Sequence, residues 1–148
     1  MALQRPPLSA TLLTAAGALP FVLAAVMSLT GRSLFTGIPP ITFPDNGAAL
    51  ATGYGIVILS FMSGVLWGFA AQAGRLRTVG LVLSVLPALY VYFFVTRGAG
   101  DAHQALMIGF LGVLALDALY QWLGLAPRWW LTLRVPVTVV VFICLALA

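Results

Sequence analysis

The chain has 148 residues, of which 62% are hydrophobic and only 7% charged, with a mean hydropathy of +1.11. A soluble domain averages about a quarter charged residues, so this chain lacks the polar groups to cover a water-facing surface and reads as an integral membrane protein. Its net charge of +4 comes from arginines scattered between apolar segments, a pattern that excludes a nucleic-acid face and instead orients a chain in a bilayer.

The first apolar segment spans residues 9–29 and follows Arg5, Pro6 and Pro7. It resembles a signal peptide, but its apolar run is too long and no small-x-small cleavage site follows, so it reads as a membrane helix. Pro20 at its middle removes one backbone bond and is expected to kink it. Residues 30–47 hold Gly31, Arg32, Gly37, Pro39, Pro40, Pro44 and Gly47, too many breakers for a helix. The apolar part, 38–43, is expected to lie against the outer end of the bundle, with Asp45 or Asn46 capping the next helix.

That second helix, 48–71, reads as the hub. At 100° per residue Gly53, Ser60, Gly64, Trp67 and Ala71 share one face, while Ile58, Met62, Val65 and Phe69 lie opposite. Membrane helices associate through small residues that let backbones approach, so the small face is expected to point inward. A polar turn with Arg75 and Arg77 leads to a third helix, 78–95, interrupted by Pro87. Asp101, with Gln104 three residues on, has capping-box spacing for a fourth helix, 102–125. The fifth helix is expected over 128–147, with Trp122, Trp129 and Trp130 near the headgroups. The expected fold is an all-α transmembrane bundle of five helices in one domain, residues 1–148. Arg5, Arg75, Arg77 and Arg128 then share one side, with Arg134 just inside it. Arg32 and Arg97 share the other side with Asp45 and Asp101. The positive-inside rule places the N-terminus in the cytoplasm and the C-terminus outside.

Asp117 and Arg134 are the ionisable residues well inside these spans. Each costs about 2.5–3.5 kcal/mol near a helix centre on insertion scales. At about 1.5 Å per residue they stand roughly 12 Å and 8–9 Å from the turn joining their helices, within an arginine's reach. An intramembrane ion pair is expected, either a structural staple or the floor of a pocket. Thr138, one turn beyond Arg134, is placed to accept one of its protons. On the fourth helix His103, Phe110, Asp117 and Gln121 form a stripe. Trp67 is expected to point into the bundle and donate its N–H to Asp117, Gln121 or a backbone carbonyl. Ser60, Gly64, Trp67, Gln121 and Thr138 are thus the expected packing or pocket face. One histidine, one apolar-embedded Cys144 and no glutamate do not assemble three ordinary zinc ligands, and no cofactor or catalytic residue is expected. No nucleophile elbow, phosphate loop, dinucleotide fingerprint or HExxH is present, which weighs against an enzyme.

Several segments, in order, resemble the family of transmembrane protein 69. They are Leu19-Pro20-Phe21; Tyr54-Gly55, Ile58-Leu59-Ser60-Phe61 and Gly64 with Trp67-Gly68; Leu86-Pro87-Ala88-Leu89; Asp117; and Ala126-Pro127-x-Trp129 with Leu133-Arg134-Val135-Pro136-Val137-Thr138. The resemblance implies a small multi-spanning protein of bacterial inner membranes or mitochondria, and supplies no activity. The expected role is a non-catalytic accessory, assembly or partner-binding subunit of the inner membrane. The alternative is a binder or transporter of a small apolar or amphipathic molecule in a pocket between the first three helices. The expected partners are the lipid bilayer and, beyond it, a larger membrane complex or further copies of the chain.

Overall fold

The computed structural model describes residues 5–32, 46–97 and 100–148. The expected packing of 38–43 and the capping role of Asp45 lie outside these residues, as do Gly98 and Ala99 of the turn at 97–100. Among the described residues all regular structure is helical, and five helices are long and apolar enough to cross a membrane.

Helix α1 (Leu8–Thr30) starts after Pro7 and ends where Gly31 turns left-handed at φ 62°. Pro20 sits inside it without dividing it. Helix α2 (Gly47–Ala71) is capped by Asn46, whose side chain accepts from the Ala49 N–H at 2.8 Å. Helix α4 (Ala102–Trp122) is capped by Asp101, which accepts from the His103 N–H at 2.9 Å. It stops short of the expected residue 125 because Gly124 turns left-handed at φ 73°. The Leu125 and Ala126 N–H groups then fold back onto the Tyr120 carbonyl at 2.8 and 3.2 Å. Helix α5 (Trp130–Leu147) completes the set.

Helix α3 (Arg77–Val95) crosses in pieces. Its α-helical start ends at Ser84, Leu86–Tyr90 resumes the coil, and Val91–Val95 is a wider turn in which the Thr96 N–H reaches back five residues to Val91 at 3.0 Å. Pro87 has no N–H with which to carry the ladder through. The Ser84 carbonyl at the break accepts instead from the Ser63 hydroxyl of α2. A buried main-chain acceptor is thereby satisfied where the bilayer offers no water.

Helices α1, α2, α4 and α5 form a ring in which each packs on the next and α5 closes onto α1, while α3 lies outside against α2 and α4. One half of the ring is a continuous core around Phe21, Ala24, Leu59, Met62, Leu106, Phe110, Val141 and Leu145. A smaller cluster at the opposite end holds Leu66, Ala70, Tyr120 and Ala126.

The rotation of α2 differs from the expected one. Leu59, Met62, Ser63, Leu66 and Ala70 are buried, whereas Gly53, Ser60, Gly64 and Ala71 are exposed and Trp67 is half-exposed. Close approach does rely on small residues, but on others. A Cβ at Gly55 would stand 2.8 Å from Leu106 Cδ1, and one at Gly109 would stand 2.8 Å from Leu59 Cδ1 and 3.0 Å from Tyr90 Cε1. Each of these glycines receives a large side chain from a neighbouring helix. Large-into-small packing of this kind buries bulky residues and leaves the Ser60–Gly64 ridge facing outward.

Candidate intramembrane cavity and charge pair

Between α1, α2 and α5, with Phe110 of α4 at one end, lies a cavity of about 450 Å³ that is open on one side. Helix α1 contributes Leu13, Thr14 and Gly17 to its wall, α2 contributes Ile58, Met62 and Phe69, and α5 contributes Arg134, Val137 and Thr138. Phe21 and Phe110, in edge-to-face contact at 5.7 Å, close one end. Phe69, Trp129 and Trp130 line the other, with Phe69 edge-on to Trp130 at 5.0 Å. Leu13 and Phe61 also line the cavity while being 74% and 64% exposed, so it reaches the lipid-facing surface of the bundle.

Beside this apolar space lies the charge pair. Asp117 is fully buried on α4, and its carboxylate accepts from Arg134 Nε at 2.8 Å. Its second oxygen accepts from the Trp130 indole N–H at 2.7 Å. The geometry follows from the left-handed turn at Gly124, which sends α5 back along α4 and sets its first turn and a half beside Asp117. Gln121 strengthens the junction, because its side-chain oxygen accepts the Leu131 N–H at 3.0 Å. That amide has no partner within its own helix.

Arg134 is nearly buried too, and its Nη2 has no hydrogen-bond partner among the described residues. Nor does Thr138 Oγ1, on a residue 3% exposed. The expected Arg134–Thr138 hydrogen bond is therefore not made. Both side chains line the cavity. A buried donor or hydroxyl ordinarily finds a partner, and here two side chains one turn apart on α5 each hold an orphan.

A family model described as a protein of unknown function (DUF3429) matches residues 6–148 of the chain. The chain belongs to this family. No curated protein and no solved structure matches it. For this family member the site must therefore be read from its own residues.

Of the residues singled out in the sequence, Asp117 pairs with Arg134, Arg134 and Thr138 line the cavity, and Gln121 supports the turn behind the pair. Ser60, Gly64 and Trp67 do not take part: they lie on the outward face of α2, and Trp67 donates to none of its expected acceptors. Trp130 fills the role expected of Trp67. At the other end of the ring His103 Nε2 lies 3.1 Å from the Ala48 carbonyl, tying the start of α4 to the start of α2. The pairing of Trp130 with Asp117 had one signal in the sequence, its position thirteen residues on across a short turn, which a headgroup anchor shares.

Proposed function

We propose that this protein is a non-catalytic, membrane-embedded binder of a small, predominantly apolar molecule. One observation carries the reading. An apolar cavity of about 450 Å³ reaches the lipid-facing surface, and Arg134 and Thr138 on its wall each carry a buried polar atom without a partner. Ligand sites are typically clefts of about 300–1,000 Å³, mostly apolar, with a few placed polar groups. A staple alone needs Arg134 Nε and Asp117, and leaves Nη2 and Thr138 unexplained. The cavity lies within the ring of α1, α2, α4 and α5, so it replaces the site expected between the first three helices as the place to look. The resemblance to the transmembrane protein 69 family supports an inner-membrane setting, and the arginine distribution supports a cytoplasmic N-terminus.

The test is native mass spectrometry of the protein purified in mild detergent. A retained small molecule is expected, and it should be lost when the cavity is filled by Gly17→Phe together with Thr14→Leu. A folded wild-type protein that carries nothing, and takes up no apolar probe, would refute the reading.

A further inference from the structure

Resting on the cavity as a binding site, we infer its occupant: an anionic glycerophospholipid of the leaflet that holds Arg5 and Arg128, with one acyl chain in the cavity and its head group at those two arginines.

The cavity has the length of one chain. On each of three helices its lining advances eleven residues, from Ala10 to Phe21 on α1, from Phe69 back to Ile58 on α2 and from Trp130 to Val141 on α5. At about 1.5 Å per residue this is about 16 Å, close to half of the roughly 30 Å hydrocarbon core and so to one leaflet. Phe21, midway along α1, makes the blind end with Phe110. Trp129 and Trp130 line the other end, at the level that tryptophans prefer beside the head groups.

The open side suits a lipid with two chains. None of residues 8–17 of α1 is buried, whereas Ala18, Phe21, Ala24, Ala25 and Met27 are. A Cβ added to Gly17 would meet nothing within 4 Å. The first half of α1 thus leaves a slot beside α2 and α5, bordered by the exposed Leu13 and Phe61. One chain fills the slot while the other stays in the bilayer. A further membrane helix, about 10–12 Å across, is too thick for this volume.

Charge selects the head group. Arg128 stands between Pro127 and Trp129, which both line the cavity, and Arg5 precedes the lining residue Ala10 by five positions. Both arginines are exposed, and among the described residues neither is in an ion pair. Asp101 caps α4 at the opposite end of the bundle, and Asp117 already neutralises Arg134. The acyl chain therefore meets no net charge inside, and the head group meets two cations outside. Each arginine near an anionic lipid contributes a factor of about five. A zwitterionic head brings its own cation to the same place and gains less.

The experiment uses phosphatidylcholine nanodiscs containing a small fraction of phosphatidylglycerol, or of phosphatidylcholine, brominated in the half of one chain nearest the glycerol. Bromine quenches tryptophan on contact, and Trp129 and Trp130 line the cavity. The exposed Trp67 and Trp122 are replaced by Phe to remove the lipid-side background. Saturable quenching is expected at a roughly tenfold lower fraction of phosphatidylglycerol than of phosphatidylcholine. Arg5→Gln/Arg128→Gln should bring the two lipids to within about twofold of each other. Arg75→Gln/Arg77→Gln, on a turn that does not line the cavity, should leave most of the preference. Gly17→Phe/Thr14→Leu should remove the saturable quenching by either lipid. Equal quenching by the two lipids, or a preference that survives Arg5→Gln/Arg128→Gln, would overturn the head-group assignment. A preference untouched by filling the cavity would overturn the placement of the chain. Displacement of the brominated phosphatidylglycerol by an equal amount of free fatty acid would overturn the phospholipid. Any of these results, with a brominated alkane still quenching saturably, leaves the cavity a binding site. No saturable quenching by any probe, the alkane included, would instead strike the binding reading itself.

Discussion

Removing either partner of the Asp117–Arg134 pair should damage the protein more than removing both. Arg134→Leu leaves a fully buried carboxylate with one remaining donor, the Trp130 indole. Breaking a buried pair from one side costs about 3–5 kcal/mol, and here nothing else is placed to compensate Asp117. Asp117→Leu strands the guanidinium of Arg134 and also the Trp130 N–H. Arg134 is the fifth residue of α5, close enough to the helix start to snorkel toward the headgroups, which should hold this loss to about 3 kcal/mol. In Asp117→Leu/Arg134→Leu the charges are gone and one new orphan is created, the indole N–H, at about 1–3 kcal/mol. The double variant should thus be more stable than either single one, with a coupling of about 3 kcal/mol or more. Adding Trp130→Phe should recover most of what remains. Unfolding of the purified protein in mixed detergent micelles, followed by tryptophan fluorescence or by thermal shift, measures all four. Additive losses in the double variant would show that the two side chains do not depend on one another and would refute the geometry.

Gly109→Val should destabilise by about 1–3 kcal/mol or more, because even the first added carbon stands 2.8 Å from Leu59 and 3.0 Å from Tyr90. Gly64→Leu, on the exposed side of α2 with nothing within 4 Å of a new Cβ, should change stability by no more than about 0.5 kcal/mol in the same assay. A large loss there would restore the inward-facing small ridge. Ser63→Ala should cost about 1 kcal/mol by leaving the Ser84 carbonyl without its donor, and amide exchange around residues 84–90 should rise. A reporter active only in the cytoplasm should be silent when fused after Ala148 and active when fused before Met1, and the reverse would invert the topology.

The spans were legible because each is an apolar run bounded by arginine, glycine or proline, and all five helix centres fall where the runs do. The meeting of Asp117 and Arg134 was legible for a different reason. Charges are expensive in a bilayer, and a short turn between antiparallel helices leaves them one direction in which to pair. The rotation of α2 was not legible. Apolar residues occur on all its sides, so periodicity has no polar face to mark as outward, and small residues appear on both. Which glycines act as sockets depends on Leu106, Leu59 and Tyr90 arriving from other segments. Trp130 as a donor to Asp117 and Trp130 as a headgroup anchor look the same in one dimension. The cavity was least legible of all, since it is a volume that four helices leave unfilled and no single segment encodes it.

The inter-helix bonds that serve two buried acceptors, the Ser84 carbonyl and the Asp117 carboxylate, differ in when they become available. Chains emerge from the N-terminus and their helices meet the bilayer in that order. When α3 arrives with its break, the Ser63 hydroxyl that will take the Ser84 carbonyl is already present on α2. When α4 arrives, its carboxylate has no such host. Arg134 and Trp130 lie ahead on a segment still to be made, and at about 15 residues per second the wait for them is on the order of a second. During that interval Asp117 must remain neutral, stay near the aqueous end, or be sheltered by the insertion machinery. The arrival of α5 gives Asp117 its partners, so a truncation before Trp130 should leave a helix that slips or is degraded, whereas one before Ala102 should leave three helices with the break in α3 already satisfied by Ser63.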